Sequence, residues 1–268
     1  MLGKLLKYEI PSMGRKLLPL YAAWAATAIV LGFSAQSAGS RSSFVVVMSG
    51  LLYVGVAIAI MVMAVILIVQ RYSRSLLGDE AYFNQVLPVS VAAHIGNKLM
   101  SAVIWMFITV LVALLTGLII GVCAMIAGGL NSQDMIQLGD IDLPKNSVIY
   151  TLEFLILLIA GSVKTVMQIY TAITIGHQAR NHTTLASIGA YIGVLFFEGT
   201  AGRAIASVYA LADPKFNAVL NGSEGAYGPD GYLNFHVIFI AGIVMAAAFS
   251  AVYFFVCRYL MEKHLNLA

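Results

Sequence analysis

Long runs of apolar residues, broken by short polar connectors, set the pattern of this chain. The apolar positions are continuous rather than alternating, which predicts helices and disfavours the two-residue period of a membrane β-barrel. A helix needs about 20 apolar residues to cross a hydrocarbon core about 30 Å thick. Six stretches meet that length: Leu17 to Ser37, Val45 to Val69, Met100 to Ala127, Val148 to Ile175, Thr183 to about Gly199, and Phe235 to Val256. The second and third carry no charge, whereas the fourth contains Glu153 and Lys164. The expected fold is all-α: a polytopic membrane protein with six transmembrane helices in one transmembrane domain, residues 1–268.

The connectors add detail. At the N-terminus, Leu2, Leu5, Leu6 and Ile10 fall on one helical face, opposite Lys4, Lys7 and Glu9. This predicts an amphipathic interfacial helix within residues 1–16, ended by Pro11. The basic residues ahead of the first apolar run also suit a signal peptide. The length of that run favours a retained first helix. Residues 71–98 form a polar block between the second and third spans. Turns are expected at Gly78-Asp79 and at Pro88-Val-Ser90, with about two helical turns between them presenting Glu80, Tyr82, Phe83 and Asn84. Acids beside aromatics on a short rigid knob suit docking into a partner's groove. An amphipathic loop resting on the membrane has the same pattern. Glu198, Gly199, Gly202 and Arg203 interrupt the fifth stretch. A helix ending near Gly199, followed by an outer re-entrant or loop segment over residues 199–233, is expected.

Composition narrows the class. The chain is 60% hydrophobic and only 10% charged, against about 25% charged in soluble domains. With the N-terminus inside, ten lysines and arginines fall in cytoplasmic segments and three (Arg41, Lys145 and Lys215) outside. The positive-inside rule therefore places both termini in the cytoplasm. The basic residues are spread along the membrane edges, so the net charge of +3 marks topology and is no nucleic-acid patch. Cys123 and Cys257 fall near opposite faces and are read as small buried residues, not as a disulfide.

Charges inside a span are costly and mark function by default. Glu153 and Lys164 are eleven residues apart, close to three helical turns, and so share a face. Gln168 and Thr171 extend it. The stripe lines a substrate path or a dimer interface; alternatively Glu153 sits at the outer headgroups and Lys164 bonds to a neighbouring helix. Glu198 and Arg203 are expected to pair near the outer surface in a structural role. Catalytic patterns are missing from the sequence. No two histidines stand four apart, no Gly-x-Ser-x-Gly elbow occurs, and Gly161-Ser-Val-Lys-Thr165 lacks the first glycine of a Walker A loop. No catalytic residue, metal ligand or resident cofactor is expected.

The block Leu77-Gly-Asp-Glu-Ala-Tyr82, Leu87-Pro-Val-Ser90 and then Lys98, with Leu6-Lys-Tyr-Glu-Ile10 at the start, resembles the membrane subunits of ABC-2-type exporters. The resemblance implies a pair of permease subunits, identical or different, above two separate ATPase subunits that bind ATP and Mg. It implies that Gly78, Asp79, Glu80, Tyr82, Phe83 and Pro88 form the coupling region seated in the ATPase. It further implies export of an amphipathic or hydrophobic substrate, a peptide or drug-like molecule, from the cytoplasm or inner leaflet of a bacterial plasma membrane. The competing reading is an ion-coupled secondary carrier that uses Glu153 and Lys164 as its relay.

Overall fold

The computed structural model describes residues 2–36, 43–77, 91–128, 147–179, 182–221 and 235–263. Their regular elements are helical: α1 (Leu2–Gln36), α2 (Ser43–Tyr72) continued by a π-helical turn (Ser73–Leu77), α3 (Val91–Gly128), α4 (Ser147–Gly176), α5 (Thr183–Ala212), the short α6 (Pro214–Asn221) and α7 (Phe235–Lys263). Among the described residues, six helices are long and apolar enough to cross a membrane. The chain is therefore a multi-pass membrane protein. The expected knob residues Gly78, Asp79, Glu80, Tyr82, Phe83 and Pro88 lie outside the described residues.

Three helix ends differ from the sequence expectation. Pro11 does not end the first helix, because α1 runs unbroken through Pro11 and Pro19. Both prolines are exposed on its outward side. A spanning helix tolerates proline because neighbouring helices and small local adjustments re-satisfy the backbone groups that proline frees. The fifth helix does not stop near Gly199; α5 is continuous from Thr183 to Ala212. A glycine costs a helix about 1 kcal/mol, which is too little to break one held by its neighbours. The short helix comes later, at Pro214–Asn221, and its start is built locally. The Asp213 carboxylate accepts the Lys215 backbone N–H at 2.9 Å, and Pro214 occupies the first helical position, where its missing N–H is not needed. The third helix begins earlier than expected, at Val91, so residues 91–98 belong to α3.

The chain divides into two compact units. The first holds residues 1–70 and 100–142. Its core is a stripe of α1: Met13, Leu17, Tyr21, Trp24 and Ala28 are all buried. The three-to-four-residue spacing makes this one helical face. Hydroxyl pairs join the helices: Tyr21 to Thr109 at 2.6 Å, Tyr53 to Thr116 at 3.0 Å, and Ser34 to Ser49 at 2.8 Å. Trp24 stacks obliquely on Tyr53, with ring centres 5.6 Å apart. Close approach replaces large side chains at Gly32, where an added Cβ would lie 2.5 Å from Cys123 Cβ and 2.9 Å from the Ile120 carbonyl oxygen. Small residues commonly let membrane helices approach in this way.

The second unit holds residues 71–99 and 143–268, and α4 is its centre. This helix packs most extensively on α7 and then on α5. Its first half exposes Val148, Ile149, Leu152, Phe154 and Ile156. Its second half is enclosed on every side, with Val166 through Thr174 buried without a gap. By contrast, α5 has no buried residue. Gly176 ends α4 hard against α5: an added Cβ would meet the Ser187 backbone nitrogen and Cα at 2.4 Å.

Candidate functional site

A membrane helix buries polar side chains only where neighbours satisfy them. Apart from the Gln168 amide nitrogen, which is buried without a partner among the described residues, the polar side chains described below follow that rule, and they occur in three groups along α4.

The first group is near the start of α4. His236 Nδ1 lies 2.7 Å from Glu153 Oε1 and 2.8 Å from Oε2. The Tyr150 ring lies obliquely over the imidazole, with centres 4.5 Å apart. Glu153 is six residues beyond Ser147, about 9 Å along the helix, so this pair belongs to an end of the span rather than its middle.

The second group lies in the middle. Lys164 Nζ donates to Glu198 Oε1 in an ion pair. Tyr253 Oη donates to Glu198 Oε2 at 3.2 Å. Lys164 is seventeen residues past Ser147 and twelve before Gly176. Glu198 is fifteen past Thr183 and fourteen before Ala212. Each charge is therefore about 18–25 Å from either end of its helix. The Lys164 and Glu198 side chains are only 24% and 19% exposed. Three helices, α4, α5 and α7, each contribute one polar group.

The third group continues toward the end of α4. Gln168 and Thr171 are buried. The Thr171 hydroxyl lies 2.9 Å from its own helix's Met167 carbonyl and 3.2 Å from the Tyr253 carbonyl of α7. One turn on, Thr174 meets Tyr72, whose Oη is 2.8 Å from both Thr174 Oγ1 and Cys257 Sγ. Tyr72 is fully buried. Its ring stacks on Tyr170 with centres 3.9 Å apart, and Met261 Sδ lies 3.6 Å from its hydroxyl.

The sequence stripe Glu153, Lys164, Gln168 and Thr171 thus corresponds to residues that are each held differently. Glu153 and Lys164 do not contact one another; each has its own partner on another helix. The expected Glu198–Arg203 pair is not formed. In a continuous helix five residues put the two side chains on different faces; Glu198 turns to Lys164 and Tyr253, while Arg203 is exposed. Tyr253, His236, Tyr72 and Cys257 were not singled out as site residues. The need of an intramembrane charge for a partner was the available signal, but no local pattern named which residue would supply it. Cys257 is more than a small filler, since it shares the Tyr72 hydroxyl.

The mid-helix group can hold a pair of opposite charges inside an apolar surround. The third group ties the end of α2 to α4 and α7. No family model, curated protein or solved structure matches the chain.

Proposed function

We propose that this chain is the membrane subunit of an ATP-driven exporter, powered by a separate ATPase that docks on residues 71–98. The observation that carries the reading is the anchorage of Tyr72. This residue stands at the start of the polar block, where α2 ends, and is buried among Tyr170 and Thr174 of α4 and Cys257 and Met261 of α7. A push on the block is transmitted through a rigid, fully packed side chain to two spanning helices. That is what a coupling element needs: packed interfaces switch between discrete arrangements rather than yield continuously. In this reading both termini and the block face the cytoplasm, and two copies of the chain, or this chain and a related one, stand above two ATPase subunits. The absence of charge from the second and third spans supports an amphipathic or hydrophobic cargo.

The test is purification in mild detergent from the native membrane, followed by assay for a co-purifying ATPase and vanadate-sensitive hydrolysis. The expected result is a stoichiometric ATPase that is lost when residues 79–83 are replaced. A preparation from cells expressing all neighbouring genes that brings down no ATPase would overturn the reading. One observation favours the ion-coupled carrier instead: the Lys164–Glu198 pair at mid-helix, where a relay would sit. That carrier would move cargo on an ion gradient in vesicles free of ATP.

A smaller prediction concerns the anchor. Tyr72→Phe keeps the stacked ring and removes the hydroxyl shared by Thr174 and Cys257. It should cost about 1–2 kcal/mol, the range for losing a buried hydrogen bond. Unfolding in mixed micelles measures it, and a wild-type midpoint would show that the hydroxyl contributes nothing.

A further inference from the structure

The six spans rank oppositely in apolarity and burial, with one exception. After α5, the least apolar spans are α1 and α4, and these two bury the largest share of their residues. The more apolar α2, α3 and α7 bury less. A lipid surround imposes that order, because polar side chains turn inward and apolar ones face the acyl chains. The exception is α5. It is the least apolar of the six, and none of its residues is buried.

The outward side of α5 carries a seam of small and polar residues. Gly189, Gly193, Phe196, Thr200, Arg203 and Ser207 follow one another in steps of four, three, four, three and four, and all six are exposed. That alternation is the repeat by which two helices pack side by side. Phe196 and Thr200 each stand two residues from Glu198, about 200° around the helix, so the seam is on the side away from Lys164. A Cβ added at Gly189 or Gly193 would meet nothing within 4 Å. The close approach that such residues permit is therefore unused within the chain. The Thr200 and Ser207 hydroxyls are satisfied by carbonyls of α5 itself. Arg203 is not satisfied: it has no hydrogen bond or ion pair among the described residues. It stands twenty residues past Thr183 and nine before Ala212, about 13 Å from the nearer end. An unpaired charge facing lipid at that level is costly.

Charge decides what covers the seam. In a two-fold pair of identical chains, each seam residue lies opposite its own copy, so Arg203 would meet Arg203. Like charges at such a position repel one partner, and an acid there attracts another. We propose that the α5 seam is the interface with a second, non-identical membrane subunit, whose facing helix presents a carboxylate to Arg203. Gly189 and Gly193 let that helix approach closely, and Arg203 selects against a second copy of this chain. Naming that subunit as the other permease of the exporter rests on the exporter reading; the selectivity of the seam does not.

The test lets a copy carrying Arg203→Glu supply the carboxylate. Full chains labelled with donor or acceptor dyes are reconstituted at low density in phosphatidylcholine vesicles, and energy transfer reads their association. Wild type alone and Arg203→Glu alone should each pair weakly. An equal mixture should associate about tenfold or more tighter, the scale of exchanging a like-charge contact for an opposite one. Arg203→Leu alone should self-associate more than wild type, because the repulsion is gone. Ser207→Cys, added to both chains, should cross-link across the seam in the mixture; the native Cys123 and Cys257 are buried. Wild type that cross-links with itself as readily as the mixture would assign the seam to a second copy and overturn the proposal. A mixture that pairs no better than either parent would leave Arg203 to lipid phosphate and overturn it as well. Energy transfer without the Ser207→Cys cross-link would place the contact elsewhere, with the same consequence. A co-purifying ATPase beside an unselective seam would keep the exporter and reject this interface, and the reverse result would do the opposite.

Discussion

Lys164→Met alone should cost about 3–5 kcal/mol of stability, the penalty for leaving an enclosed charge without its partner. The charge left behind is Glu198. It would retain only the Tyr253 hydroxyl, at 3.2 Å. Glu198→Leu should cost a similar amount by leaving Lys164 uncompensated. The double replacement, Lys164→Met with Glu198→Leu, should recover much of the loss, since apolar side chains of similar size suit a lipid-filled surround. A coupling energy of about 1.5 kcal/mol or more is expected, within the range for residues in direct contact. Unfolding of the four proteins in mixed micelles measures the cycle. Single variants within about 0.5 kcal/mol of the parent would show that the pair is open to water and energetically idle, as most surface pairs are.

Depth decides why this pair, and not the other, carries the larger effect. Glu153 and His236 are as close to each other, but they lie six residues from the start of α4. Headgroups and water reach that level, and either partner can be resolvated when the other is lost. His236→Ala should therefore cost about 1 kcal/mol or less, in the range of surface pairs. Comparing the two pairs separates the contribution of depth from that of geometry.

What the sequence made legible follows the same physics. The six spans could be read because transfer into lipid depends on the summed apolarity of about 20 residues, a property of each segment alone. The cost of Glu153 and Lys164 was readable for the same reason. Their partners were not, because His236 and Glu198 lie 83 and 34 positions away and are selected by helix packing. Pro11 and Gly199 misled in one direction. Both are breaker signals calibrated on helices in water, and here α1 and α5 run through them. Asp213-Pro214 was the signal for α6, but it stood in a stretch rich in Gly, Asn and Pro that read as loop. Arg203 shows the reverse dependence: placing it with Glu198 required the helix to break at Gly199, and once α5 is continuous the pairing goes too.

Gly176→Val should be the most damaging single change at a helix contact in the second unit. A Cβ at Gly176 would lie 2.0 Å from Ser187 Oγ and 2.4 Å from the Ser187 nitrogen and Cα. A flexible side chain could move aside, but the backbone of α5 cannot do so without shifting the helix. Overpacking of this kind costs about 1–3 kcal/mol where neighbours can adjust. A clash with backbone belongs at or above the top of that range. The displaced helix carries Glu198, so the variant should also loosen the Lys164 pair and lose stability beyond the steric term. Gly161 on the same helix is the control, because nothing lies within 4 Å of an added Cβ there. Gly161→Ala should leave stability unchanged or raise it by up to about 1 kcal/mol through helix propensity. Thermal unfolding of both variants in one detergent decides the matter. Equal behaviour would mean that α4 and α5 do not meet at Gly176, and that the span of α5 bearing Glu198 is positioned by something other than this contact.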